Sequence, residues 1–169
     1  MKPILYVDGY NVIGAWPQAE REQWPLDESR DRLIHLLEDY AGYSGQEVVL
    51  VFDGHHSDRP LSTVETRAGL TLIYTRHGQT ADQYIEHACG RLPVYREARV
   101  ATSDHLEQTM ILGRGATRLS SRELWRELSQ TRSHGRARHA GAPGAARASL
   151  FDTLTEEQRE RLEEIRRQR

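Results

Sequence analysis

Short apolar runs alternate with longer amphipathic stretches along this chain. Residues 3–8, 47–52, 70–74, 98–102 and 116–119 are too short for helices and are built mainly from Val, Ile, Leu, Ala, Tyr and Phe, which predicts strands, the first two covered on both faces. Between them the period changes. Leu33, Ile34, Leu36, Leu37 and Tyr40 fall at helical spacing over 29–42, with Ser44-Gly45 as the stop. Thr80 is a helix cap for 81–91, and Ser103 caps a helix running from Asp104 towards Leu112 and Gly113. Ser121 caps another through Leu124, Trp125 and Leu128. Residues 15–28 read as a loop or short helical turn, and His55 to Pro60 as a polar loop.

Strands alternating with helices predict an α/β fold, a three-layer sandwich around a mainly parallel five-stranded sheet. The predicted domain spans 1–130. Residues 131–150, rich in Gly, Ala, Arg, His and Pro, read as a basic linker or loop. Residues 151–169 read as a charged C-terminal helix, with Thr155 and Gln158 as a capping box and Glu157/Arg161 and Glu163/Arg167 as ion pairs.

Composition narrows the function classes. With 37% hydrophobic and 28% charged residues in 169, the chain suits one globular domain plus an appendage. No run approaches the ~20 apolar residues of a membrane span. Met1-Lys2-Pro3 leads directly into a strand, so no signal peptide and a cytoplasmic location are expected. Cys89 is the sole cysteine, which rules out an internal disulfide and a cysteine-based zinc site. The net charge of −2 is unevenly spread: residues 114–147 carry eight arginines against Glu123 and Glu127, a surplus of six. A basic segment on an acidic body suits a polyanionic partner, and equally a solvated face. Lys2 is the sole lysine, which excludes P-loop, receiver and dehalogenase-type phosphatase chemistry, each of which needs an internal lysine.

The candidate chemistry is acidic. Asp8, Asp53 and Asp104 each follow a predicted strand, and Asp82 sits where a helix begins. Taken singly, Asp8-Gly9 and Asp53-Gly54 also read as turn pairs, and Asp82 and Asp104 as first-turn helix acids. Right-handed crossovers, however, bring the carboxyl ends of parallel strands to one edge, where α/β folds bind ligands. Carboxylates gathered there repel unless a cation holds them, and oxygen-only donors select Mg²⁺ or Mn²⁺. Glu86, one turn after Asp82, is either a further carboxylate of the site or a surface charge. Asn11, Thr80, Thr102 and Ser103 are positioned to orient water or contact phosphate. The histidines show no zinc-type spacing.

Val7-Asp8-Gly9-Tyr10-Asn11-Val12-Ile13, Phe52-Asp53-Gly54, Tyr74-Thr75, Thr80-Ala81-Asp82-Gln83-Tyr84-Ile85-Glu86, Ala101 to Gln108 and Gly113 to Leu124 together resemble the NYN domains of the PIN-like nuclease superfamily, in particular the bacterial YacP-like branch. The resemblance covers about residues 3–128. It implies sheet order 3-2-1-4-5 and a metal-dependent endoribonuclease whose acids map to Asp8, Asp53, Asp82 and Asp104, with Asn11 beside them. It also implies mRNA as substrate and the ribosome as partner. On this reading Asp8, Asp82 and Asp104 hold the metal, with Asp53 as a ligand or support. Arg76, Arg114, Arg118, Arg122, Arg136 and Arg138 would hold the RNA backbone. No aromatic platform for base stacking is visible in the sequence, so little sequence-specific reading of RNA is expected. The alternatives are a non-cleaving RNA- or ribosome-binding module and a toxin-type PIN ribonuclease.

Overall fold

Strand β1 (Ile4–Asp8) is buried along its whole length because it runs through the middle of the sheet with helices on both faces. The computed structural model describes residues 2–54, 61–93, 95–102 and 116–140, with 132–140 described by backbone alone. β1 pairs in parallel with β2 (Glu47–Phe52) on one side and β5 (Ala98–Ala101) on the other. β2 pairs in parallel with β4 (Leu70–Tyr74), and β5 with β6 (Ala116–Leu119). The outermost strand, β3 (Thr63–Arg67), runs antiparallel to β4 and gives the order β3-β4-β2-β1-β5-β6.

Without β3 the order is the expected 3-2-1-4-5. The sequence pattern does not predict this sixth strand, because it lacks an apolar face: four of its five residues are exposed. What defines it is the turn. Ala68 and Gly69 both have positive φ, 44° and 86°, the requirement of a two-residue turn whose twist matches a hairpin.

Alternate strand residues feed two cores. Leu5, Val7, Leu50 and Phe52 face α1 (Gly9–Gly14), α2 (Pro17–Glu22), α3 (Leu26–Ser44) and α5 (Ser121–Ala140). Ile4, Tyr6, Val49 and Val51 face the opposite way, onto Ile85 and Cys89 of α4 (Ala81–Gly90). This is the expected three-layer sandwich. Among the described residues no helix is long and apolar enough to cross a membrane.

Several helices differ from the sequence reading. The 15–28 segment contains α2, with Pro17 at its first position and Gln23 in the left-handed conformation at its end. α3 begins at Leu26 rather than 29, because Asp27 and Glu28 complement the positive end of the helix. α5 continues to Ala140, into the segment expected to be a linker. Arg and Ala favour helix, and Gly135 is the sole glycine within the span of α5. The chain divides after Arg132, and the sheet belongs to the first unit. The predicted helices at 104–112 and 151–169 lie outside the described residues.

Candidate active site

The parallel register sets the site at one edge of the sheet. Asp8 is the last residue of β1 and faces Val51, so Asp53 stands two residues beyond its partner on the neighbouring strand. Val7 faces Ala101, which brings the buried Thr102 to the same edge on the other side.

Asp8 also starts α1. With φ −75° and ψ 107° it is the N-cap, and its carboxylate accepts a 3.0 Å hydrogen bond from the Asn11 N–H. The chain therefore turns from strand to helix without a loop, which fixes the carboxylate at the sheet edge. That turn depends on Gly9, because a Cβ there would run into the buried Phe52 ring.

The Asp53-Gly54 corner is built the same way. A Cβ on Gly54 would collide with the Thr75 carbonyl. The Thr75 hydroxyl accepts from Gly54 N–H at 2.8 Å and donates to Gln79 O at 2.6 Å. It thereby ties the end of β2 to the loop that leads into α4. Asp53 Oδ1 accepts from the Ala81 N–H in the first turn of α4. Thr80 completes this helix start as one half of a capping box with Gln83. The Thr80 hydroxyl, expected from sequence to serve water or phosphate, is thus engaged in the cap.

α4, so anchored, carries Asp82 against Asp8. The Asp8 carboxyl is pushed up to about 8. Burial is the largest cause, at 7% exposure; a hydrogen bond with Asp82 and the negative charges of Asp82 and Asp53 follow, against the Asn11 N–H. The Asp8 carboxyl therefore keeps its proton up to about neutral pH when no cation stands beside it. Asp82 Oδ1 is buried and meets no hydrogen-bond donor among the described residues. A buried, orphaned carboxylate oxygen facing a second acid fits a hard divalent cation.

Among the described residues, no three acidic, imidazole or thiol side chains converge at metal-ligand distance. Asp8 and Asp82 form a pair, while Asp53 is turned onto α4. Asp104 and Ser103 lie outside the described residues, as does Arg114. Glu86 is exposed one turn beyond Asp82. Arg76 is exposed in the loop after β4, where its backbone N–H donates to Ser62. Arg118 lies on β6, half-buried, with no hydrogen-bond partner for its Nε among the described residues, and Arg122 is exposed in the first turn of α5. Arg136 and Arg138 fall in the last turns of α5.

The structure also assembles what the sequence reading lacked, an aromatic cluster. Tyr10 packs on Phe52 at 4.9 Å between ring centroids, and Phe52 stacks on Tyr74 at 5.6 Å and 21°. Phe52 is fully buried; Tyr10 and Tyr74 are half-buried. Arg30 on α3 joins them. Partial burial works against its charge, and the Tyr10 hydroxyl, with Tyr74 and Asp27 nearby, more than offsets that. The three aromatic residues are spread over the sequence, so no local pattern marks them as a group. Each does adjoin a motif residue.

Comparison with known proteins agrees with this architecture. The family model described as the YacP-like NYN domain matches residues 5–167. The chain is 42% identical over 127 residues to the protein YacP of Bacillus subtilis (strain 168), covering 74% of each chain. The crystal structure of Rae1 (YacP) from Bacillus subtilis is similar with a TM-score of 0.65 at 35% identity, covering 97% of this chain and 94% of that one. The crystal structure of a single-substitution mutant of the same Rae1 gives a TM-score of 0.69, also at 35% identity, with 96% and 99% covered.

Proposed function

The chain belongs to the YacP-like NYN domain family, and from that premise we propose that it is a metal-dependent endoribonuclease cutting phosphodiester bonds in mRNA on ribosomes, in the cytoplasm. The observation that carries this reading is the Asp8–Asp82 pair at the carboxyl edge of a parallel sheet, Asp8 buried and Asp82 half-buried with one oxygen that meets no hydrogen-bond donor among the described residues. Two adjacent carboxylates at a partly buried edge repel unless a proton or a cation offsets their charge, and oxygen donors so placed suit a hard divalent ion.

Asp8 and Asp82 would hold Mg²⁺ or Mn²⁺, with Asp104 proposed as the third acid. When bound, such an ion supplies an activated water and neutralises charge on the phosphodiester. The residues of this chain provide the geometry. The N-cap bond from Asn11 keeps Asp8 at the sheet edge, and Asp53 and Thr75 hold the start of α4 so that Asp82 points inward. The exposed Arg76 and Arg122 supply positive charge for the RNA backbone.

The test compares cleavage of free and ribosome-bound mRNA with Mn²⁺, with and without EDTA, for the parent, Asp8→Asn and Asp82→Asn. Loss of cleavage by at least about a hundredfold in both variants is expected, as is loss on chelation. Cleavage at the parent rate in both variants would sink the nuclease reading.

A further inference from the structure

An acidic edge repels the polymer it is proposed to cut, so positive and stacking groups are needed close by to bring the strand in. Arg30 and the two tyrosines around Phe52 are such groups. All sit at the same edge as the carboxylates: Tyr10 lies two residues after Asp8, Phe52 directly before Asp53, and Tyr74 directly before Thr75. α3 begins at this edge as well, since its far end at Ser44 leads into the start of β2.

We propose that Tyr10, Tyr74 and Arg30 form a nucleotide subsite beside the acidic pair, in which a base of a single-stranded RNA stacks on a tyrosine face and the Arg30 guanidinium pairs with a backbone phosphate. This rests on the nuclease reading above and names how that site takes its substrate. The buried Phe52 is the rigid floor: it packs against both tyrosines and leaves each half-exposed. Base–aromatic stacking needs such a fixed ring with one open face. Arg30 is 28% exposed, and Tyr10 and Tyr74 are among the groups that interact with its charge. On its outer side it meets Asp27 at 3.1 Å, an i,i+3 neighbour that is 83% exposed. Such an ion pair is weak and readily exchanged for a phosphate. Pure packing explains Phe52; it does not explain a half-buried cation that interacts with two half-exposed tyrosines at the same edge.

The experiment measures binding of a fluorescein-labelled single-stranded RNA 12-mer to the full chain by anisotropy, across a salt series, in the Asp82→Asn background so that the probe stays intact. Arg30→Gln is expected to weaken binding about tenfold and to reduce the salt slope by about one phosphate contact. Tyr74→Leu is expected to weaken it about tenfold, and Tyr74→Phe to restore it, since stacking needs the ring alone. In the cleaving parent, Tyr74→Leu should raise KM more than it lowers kcat. Thermal unfolding of each variant separates lost binding from lost fold. Arg30→Gln and Tyr74→Leu binding as tightly as their parent would overturn the subsite, as would an undiminished salt slope in Arg30→Gln. A parent that binds RNA through these residues yet cuts none would refute the nuclease reading alone.

Discussion

Asp53 accepts a hydrogen bond from the backbone N–H of Ala81, the residue immediately before Asp82. One acid of the set thus positions the helix turn that carries another. This assigns Asp53 an anchoring role that depends on an acceptor oxygen rather than on charge.

The consequence is a split between two substitutions. Asp53→Asn keeps an oxygen acceptor and should retain RNA cleavage to within about tenfold, with a small fall in thermal stability. Asp53→Ala removes the acceptor and leaves the Ala81 N–H to water; a loss of about 1–2 kcal/mol and a larger loss of cleavage are expected. Equal, complete inactivation of both would identify Asp53 as a metal ligand instead.

The Asp8–Asp82 pair predicts an unusual pH dependence for the metal-free protein. Asp8 is raised from 3.8 to about 8 on folding. Its contribution to stability is therefore fully present below pH ~4 and is lost as pH rises through about 8. Between those limits the metal-free protein should lose up to about 1.4 kcal/mol per pH unit, as the unfolded chain releases a proton that the folded one keeps. Asp8→Asn should flatten this slope and raise the melting temperature at pH 8, because Asn still caps α1. Mg²⁺ or Mn²⁺ should stabilise the parent and release a proton near neutral pH, with neither effect in the variant. Calorimetry at several pH values with and without the ion checks both.

The sheet is legible in the sequence because β1, β2 and β4 are almost uninterrupted apolar runs, and runs of that kind fix both strand type and burial. β3 is not, because an exposed edge strand has no apolar pattern to display; the turn at Ala68-Gly69 is its one visible mark. Of the site, Asp8, Asp53 and Asp82 can be found from strand ends and a helix start. Their division of labour cannot, because it depends on which oxygen meets which N–H across the fold. Thr75 reads as an ordinary strand residue, and its buried hydroxyl emerges only when β2 and β4 lie side by side. The Tyr10–Phe52–Tyr74 cluster escapes a sequence reading for the same reason: its rings come from the first turn of α1 and the ends of β2 and β4.

The glycine after Asp53 should be irreplaceable for a steric reason. Gly54→Ala puts a methyl group into the Thr75 carbonyl, a backbone atom that cannot swing aside. A cost of about 2–3 kcal/mol is expected, with cleavage reduced because the Asp53 corner shifts. Gly42→Ala is the control. It lies exposed in α3 with nothing within 4 Å of the added carbon, and should stabilise by about 0.5–1 kcal/mol. Urea unfolding of the two variants should give shifts of opposite sign.

Thr75→Val tests the tie between β2 and α4 with almost no change in volume. The hydroxyl serves two backbone groups at once, receiving from Gly54 and donating to Gln79. Valine leaves both without that partner in a buried place, so a loss of about 1–3 kcal/mol is expected, above the usual cost of one hydrogen bond. Serine keeps the hydroxyl and loses a methyl group, and should fall between parent and valine in stability. The functional readout matters more than the stability. If Thr75 sets the position of Asp82 through the loop to α4, Thr75→Val should weaken the apparent affinity for Mn²⁺ in the cleavage assay, and Thr75→Ser should preserve it. A valine variant that is less stable but has unchanged Mn²⁺ dependence would confine Thr75 to packing, and would place the whole task of aligning α4 on Asp53 and the Thr80 cap.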